Sequence, residues 1–391
     1  MPDGHEPVSI KVVSSIFDIA AGQWDACAGD ADPFISHAFL SILEASGSAN
    51  PESGWVAQHL TIEDEAGALL ACAPLYLKDH SYGEYVFDWG WADAYQRAGG
   101  SYYPKLQSAV PFIPATGRRL LVRPGAPASL TTALAAGMMQ LATRLGVSSV
   151  HVTFPTEAEW RALGDAGYLL RQGRQFHWEN RGYKTFDDFL ATLSSRKRKA
   201  IRKERRSVAE SGVAIKALTG DAIEVHHWDA FYQFYLNTTD RKWGPSYLTR
   251  AFFSLLHETL RDRVVLIMAE ANGNLVGGAL NLLGADTLYG RNWGCSEDYK
   301  FLHFEACYYR AIDFAIKRGL KWVEAGAQGT HKIQRGYLPR TTYSAHWIAD
   351  PNLKTAVSRF LDEERHQNAH EMDLFAAKSP YRQEDGAQDV R

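Results

Sequence analysis

Residues 322–347 read WVEAGAQGTHKIQRGYLPRTTYSAHW. The stretch opens as a buried strand at Trp322-Val323. It then sets a carboxylate, an amide, an imidazole, an ammonium and a guanidinium (Glu324, Gln328, His331, Lys332, Arg335) into a glycine-rich loop. Polar density just past a strand end, on backbone free to bend, is where chemistry is usually carried. The second part, GYLPRTTYSAHW (336–347), matches GYLLRQGRQFHW (167–178) at Gly, Tyr, Leu, Arg, His and Trp. Internal similarity of this kind signals a duplicated unit. Only the second copy follows the polar loop, so the halves are alike in fold and unlike in chemistry.

Two further matches extend the repeat. EAGALLACAPLYL (65–77) pairs with ANGNLVGGALNLL (271–283), each a hairpin turning at a glycine, Gly67 or Gly273. ATRLGVSSVHV around Gly146 pairs with AIKRGLKWVEA around Gly319, each a helix, a glycine and a strand. The hairpin glycines lie farther apart than the helix glycines, so the first half carries an insertion, within 81–117. That segment is rich in aromatic residues, Gly and Pro, which predicts a long loop; long loops in compact domains tend to bind. Trp89 and Tyr102 would wall a sugar, peptide or acyl chain, and Asp88 or Asp93 would hold an amine. The competing reading is a loop packed on its own domain, with both aspartates as turn residues.

Length and composition agree with two domains. The chain has 391 residues, 46% hydrophobic and 12% aromatic, enough for two cores. The expected domains are about 8–180 and 181–350, followed by a C-terminal helix over 351–378 and a disordered tail over 379–391. Four scattered cysteines without a C-x-x-C pair argue against a zinc site or a disulfide framework and fit a reducing compartment. The N-terminus has no basic and apolar signal pattern, and no apolar run reaches the length of a membrane span, so a cytoplasmic protein is expected.

The net charge of −3 conceals a local excess. Residues 186–206, FDDFLATLSSRKRKAIRKERR, read as one helix with an acidic first turn and apolar residues at helical spacing. Its other face is basic, Arg196, Arg198 and Arg202 among it, and would hold an anionic donor, an anionic membrane surface or RNA. A solvated helix face is the plain alternative. Helices follow at 228–235 and 247–260, flanking NTTDRKWGPSY with Arg241 and Lys242; then come three antiparallel strands, a helix over 304–317 preceded by His303, and the strand that enters the polar loop.

Taken together, FLATLSSRKRKAIRKERR, TTDRKWG, NGNLVGGALNL, LHFEACYYRAIDFAIKRGL and EAGAQGTHKIQRGY resemble the bacterial FemAB-like family of predicted N-acyltransferases, over nearly the whole chain, 34–347. The resemblance implies an α/β fold of tandem GNAT-like domains with mixed, mostly antiparallel sheets. Some relatives also look like the bacterial enzymes that N-acylate a sphingoid base. It implies no bound cofactor or metal, and an acyl-CoA or acyl-carrier-protein thioester as co-substrate. That thioester would lie where strand 276–283 parts from strand 287–293, its carbonyl polarised by backbone N–H groups. An amine acceptor would attack, with a base to take its proton.

Glu324 and His331 are the candidate bases. Gln328, Lys332, Arg335, Arg241, Lys242, Arg291 and His303 are candidate substrate contacts, Lys332 and Arg335 for anionic groups. His177 and His346 occur in both repeats and read as fold residues. Ahead of the helix at 304 stands SEDYKFLH, not a glycine-rich pyrophosphate loop, so a carrier-protein thioester, a long-chain acyl-CoA held otherwise or an aminoacyl-tRNA all stay open. Three functions compete: transfer of a fatty acyl group to a lipid-like amine near an anionic membrane, tRNA-dependent aminoacyl transfer to a peptidoglycan precursor, and a non-catalytic binding module.

Overall fold

The turn at Asn272-Gly273 shows how local sequence sets the sheet. Both residues take positive φ (51° and 77°), the twist a two-residue hairpin needs, and strands Val264–Ala271 and Asn274–Leu283 pair antiparallel across it. The computed structural model describes residues 9–241, 246–326 and 329–382, the side chains of 239–241 excepted. The chain forms two compact units. The first takes the chain up to Gly173 with 247–260 and 341–368; the second takes 174–246, 261–340 and the chain from 369 onward. The expected cut near 180 therefore becomes an interleaved one: helix Arg250–Leu260 packs in the first unit, with Phe252 edge-on to Phe39.

In the second unit the strand order is Ala214–Thr219, Val264–Ala271, Asn274–Leu283, Thr287–Cys295, Trp322–Glu324 and residues 174–179 of Leu169–Glu179. Every pairing is antiparallel except that of Thr287–Cys295 with Trp322–Glu324. The single parallel pair is reached through a helical crossover, as parallel pairing requires. One face of this sheet builds an apolar core: Val265, Ile267, Leu288 and Val323 cluster with Ile312, Phe189, Tyr309 and Tyr337.

The first unit repeats the plan. Its hairpin strands are His59–Glu63 and Leu69–Ala73, and its parallel pair is Lys105–Ser108 with Ser149–Thr153. The helices Ser129–Leu145 and Arg310–Arg318, which precede the matched strands, both end on a left-handed glycine, Gly146 or Gly319. The second hairpin strand of this unit passes into a different sheet after Pro74: Leu69–Ala73 stays in a four-stranded sheet and Tyr76–Lys78 pairs with Lys105–Ser108.

Four expectations need correction. The insertion is not a long loop: it forms helix Trp89–Arg97, braced by the Asp93–Arg97 ion pair at 2.8 Å, and strand Lys105–Ser108, which is wholly buried. Glycine content marked where the helix ends, at Gly99-Gly100, rather than an absence of structure. The basic segment is two helices, Phe186–Thr192 and Ser195–Glu210, because Leu193 is extended and bridges Tyr381. The helix after His303 contains a π-helical turn, Glu305–Tyr309. The tail is ordered through Arg382, with the Tyr381 hydroxyl donating to Gly336 O at 2.9 Å; 383–391 lie outside the described residues.

The first unit also buries charge. Lys105 Nζ lies 2.5 Å from Asp88 Oδ2 and 2.7 Å from Glu84 Oε2, all fully covered. Beside them His151 Nδ1 meets His346 Nδ1 at 2.7 Å, so at most one of the two nitrogens carries a proton. Burial, with the Lys105 charge, pulls His151 down to about 3, and burial also lowers His346 well below the ordinary range. A histidine lowered on folding binds fewer protons than the unfolded chain, so stability is full above about 6.5 and is lost as pH falls toward about 3. Urea midpoints should fall through this window, and His151→Asn should flatten the fall. A midpoint independent of pH between these values would contradict the buried neutral pair.

Candidate active site

The site is built where the parallel pair ends. Thr287, Leu288 and Tyr289 are in register with Trp322, Val323 and Glu324, and no rung follows among the described residues. Strand Thr287–Cys295 continues, paired on its other edge, and its ladder slips between Leu280 and Asn281, leaving Arg291 as the extra residue of a β-bulge. The expected parting of 276–283 from 287–293 is thus wrong: those two strands stay bonded from Gly277↔Cys295 to Leu283↔Leu288. The parting lies on the opposite edge, between Thr287–Cys295 and Trp322–Glu324. At Gly290, just past the last rung, the two strands still run close, since a Cβ there would sit 3.0 Å from Glu324 O.

Glu324 stands at the last rung. Its carboxylate is nearly buried, 3.3 Å from Arg291 Nη2 and 3.8 Å from His177 Nε2. Register explains the histidine: Glu324 pairs with His177 across the sheet, so their side chains share a face. His177 lies 3.3 Å from Gln175 Oε1, and burial with Arg340, Arg291 and Lys332 nearby lowers it to about 3. It is neutral at physiological pH and supplies a hydrogen bond rather than a charge.

His331 belongs to a second cluster. The loop turns at Gly329 (φ 111°), where any Cβ would meet the His331 ring at 2.4 Å, so glycine lets the ring fold back. His331 Nε2 is 2.9 Å from the Tyr308 hydroxyl, and its ring packs on Phe304 and His303. Partial burial, then the Arg335 and Lys332 charges, lower His331 below its ordinary value, while burial raises the Tyr308 phenol. Tyr308 sits on the π-helical turn, an irregularity frequent at functional sites. Beside these residues opens a pocket of about 380 Å³, lined by Trp293, Cys295, His303 and Phe304, with Glu297, Asp298 and Lys300 among its polar lining residues.

Lys332 and Arg335 do not hold outside anions here. Lys332 is buried and its Nζ donates to Gly326 O at 2.8 Å. Arg335 lies flat on Phe304, 3.4 Å from the ring centre, and pairs with Glu204 at 3.0 Å while donating to His331 O at 2.9 Å. Glu204 also accepts from the Tyr309 hydroxyl. These contacts fasten helix Ser195–Glu210 to the polar loop, as does Lys197 with Gln334. On that helix Arg196 and Arg202 are exposed and Arg198 partly so; Arg202 pairs with Asp187 at 2.8 Å. Gln328 and Lys242, and the side chain of Arg241, lie outside the described residues.

In the first unit, Asp88 and Tyr102 are interior: the Tyr102 hydroxyl donates to Asp88 Oδ2 at 2.7 Å, beside Lys105. Asp88 is therefore no turn residue and is not free to grip an amine at the surface. Trp89 and Asp93 are exposed, Asp93 paired to Arg97. Sequence reading missed Tyr308 and assigned His177 to the fold alone. Tyr308 has core spacing in the sequence; only the π-helical turn aims its hydroxyl at His331. Glu204 was hidden in a run of basic residues, 202–206.

Comparison with known proteins agrees with this architecture. The sequence profile of the FemAB-like family, described as peptidoglycan biosynthesis/recognition, matches residues 15–383. No curated protein sequence matches the chain. Similar solved structures include FemX (TM-score 0.54, 10% identity, 87% of this chain and 98% of that one). They also include L-PGS from Bacillus licheniformis (TM-score 0.51, 12% identity, 85% and 98%). A third is the C-terminal domain of a putative lysylphosphatidylglycerol synthetase from Agrobacterium fabrum (TM-score 0.51, 8% identity, 88% and 95%). At these identities the likeness is one of fold, the tandem GNAT-like fold.

Proposed function

We propose, from the premise that this chain belongs to the FemAB-like family and is an acyltransferase, that its second unit transfers an acyl group from a thioester to the nitrogen of a lipid-like amine such as a sphingoid base. The observation that carries this reading is the parting of the parallel pair at Tyr289 and Glu324, in the same unit as a pocket walled by the neighbours of His331. A strand edge without its partner offers backbone N–H groups to a carbonyl oxygen that gains charge in the transition state.

The step forms a C–N bond and breaks the C–S bond. The amine's proton must leave and the departing sulfur must gain one. His331, neutral and hydrogen-bonded to Tyr308, is the acceptor we favour; through that bond the same pair can return the proton to the sulfur. Glu324 is the other candidate, with lone pairs already engaged by Arg291. No helix of the described residues is long and apolar enough to cross a membrane.

One observation weighs against a CoA donor and so keeps the second reading, aminoacyl-tRNA-dependent transfer to a peptidoglycan precursor, beside transfer from a carrier-protein thioester. The loop after Cys295 carries Glu297 and Asp298, which would repel the pyrophosphate of a CoA donor. A carrier-protein thioester or an aminoacyl ester has no such group to place. Helix Ser195–Glu210 would meet either macromolecular donor through Arg196, Lys199 and Arg206, all exposed. Reversing charge at Arg196 and Lys199 together should weaken donor binding several-fold at low salt and little at high salt. Binding by acyl-carrier protein, by aminoacyl-tRNA or by anionic vesicles separates the donors; unchanged binding of all three would make the helix a solvated face. Lipid and muropeptide profiles of a deletion strain then separate the acceptors.

A further inference from the structure

In the first unit, residues 81–89, SYGEYVFDW, fold with their charges inside and their largest rings outside. Glu84 and Asp88 are buried, with Lys105 Nζ 2.7 Å from one and 2.5 Å from the other. The backbone is tied down along the same stretch. Lys78 Nζ donates to Tyr82 O at 2.9 Å, Phe112 N to Gly83 O at 3.2 Å and Arg171 Nη1 to Phe87 O at 2.9 Å. Tyr82, Phe87 and Trp89 point the other way, 50%, 56% and 41% exposed. Burying carboxylates while exposing large rings reverses the ordinary partition of side chains.

The rings form a patch. Tyr82 and Trp89 meet edge to face at 4.9 Å, and Phe87 lies between them in the chain. Tyr85 and Val86, in the same loop, are only half-buried. Tyr85 holds the left-handed backbone (φ 59°), which costs free energy outside glycine. A loop pinned at so many points does not expose its rings through looseness; the arrangement is built, and its ordering cost is met before anything binds.

Area and charge decide what covers it. About half of three large aromatic side chains is roughly 300 Å² of apolar surface. A stable protein interface needs about 800 Å² per partner, with a polar rim. A bilayer needs neither, since anchoring there scales with the apolar area inserted. Tyr and Trp suit the headgroup level, apolar in the ring and polar at the tip. The ion pairs at the edge are closed: Asp93 with Arg97 at 2.8 Å, on the helix that Trp89 begins, and Arg171 with Glu364 at 2.6 Å. Asp79, 3.8 Å from His80, adds no positive charge. Anionic lipid therefore gains nothing here over neutral lipid.

We propose that residues 82–89 are a membrane anchor, which inserts Tyr82, Phe87 and Trp89 into the headgroup layer of a bilayer by apolar contact. The buried Lys105–Glu84–Asp88 cluster serves it as a clamp that holds the rings outward. This differs in kind from electrostatic docking by the basic helix Ser195–Glu210, and it stands whether or not the second unit's acceptor is lipid-like.

Flotation of the full chain with phosphatidylcholine vesicles, and with vesicles containing phosphatidylglycerol, tests it without any substrate. The wild type should float with both, and as well at about 0.5 M salt as at low salt, since screening acts on charges only. Phe87→Ser with Trp89→Ser should weaken partitioning at least about tenfold, with the melting temperature little changed because both side chains are exposed. Brominated phosphatidylcholine should quench part of the tryptophan emission, and Trp89→Phe should remove that part. The proposal is overturned by a wild type that floats with neither vesicle, by flotation lost at high salt, or by flotation unchanged in the double variant. Quenching unaltered in Trp89→Phe would also overturn it, as would a dimer in solution that the double variant dissolves while vesicles bind neither protein.

Discussion

Replacing His331 with alanine should lower turnover by roughly 10²-fold or more, the usual worth of a positioned acid–base group, with the fold retained. The ring is half-exposed at a loop and fills no core, so circular dichroism and melting temperature should change little. Tyr308→Phe should lose activity in the same direction, since it removes only the hydroxyl 2.9 Å from His331 Nε2. Because burial and the Arg335 and Lys332 charges lower His331, the acid limb of the wild-type pH profile should lie below the ordinary histidine range. Free amine becomes more abundant as pH rises, so His331→Ala should be partly rescued in alkaline buffer. Glu324→Gln keeps size and hydrogen bonding while removing charge. A loss there larger than in His331→Ala would transfer the proton-accepting role to Glu324.

The largest effect on stability is expected at Lys105→Met. The substitution leaves Asp88 and Glu84 buried without their ammonium, and breaking a buried pair from one side typically costs about 3–5 kcal/mol. Lys78 compensates little: its amine is 3.7 Å from Glu84 and burial lowers it to about 7. Adding Asp88→Asn to Lys105→Met should recover part of the loss, because it removes the uncompensated charge. Urea unfolding of the two variants measures both quantities. A single variant as stable as the wild type would mean that the cluster carries no net coupling.

The duplicated plan was legible because it rests on glycines that cap helices and turn hairpins. Gly146 and Gly319 adopt the left-handed conformation at equivalent helix ends, and Gly67 and Gly273 turn equivalent hairpins. Such positions tolerate few alternatives, so they stay visible as sequence. The polar loop was legible too, since Glu324 and His331 do fall at a strand end and in the loop beyond it. What escaped was anything set by pairing. The sequence cannot say which strand edge opens, because a hairpin and a parting pair read alike; only register places the opening beside Trp322–Glu324. Lys332 and Arg335 looked like anion holders because loop cations usually face water, whereas here the loop folds into a short helical turn that carries both inward. His177 joined Glu324 through cross-strand register, which no local pattern encodes. In the insertion, aromatic and glycine content masked helix Trp89–Arg97 and strand Lys105–Ser108, whose buried polar residues had no apolar periodicity to show.

The most direct test is product analysis of the purified chain given one amine, a sphingoid base, and three donors in parallel: a long-chain acyl-CoA, the same acyl group on acyl-carrier protein, and an aminoacyl-tRNA. Mass spectrometry would follow the joined product, and its resistance to hydroxylamine would distinguish an amide from an ester. The account predicts an amide, formed from at least one donor by the wild type and reduced roughly 10²-fold in His331→Ala. Absence of any joined product with all three donors, or an amide formed equally well by His331→Ala, Tyr308→Phe and Glu324→Gln, would contradict it.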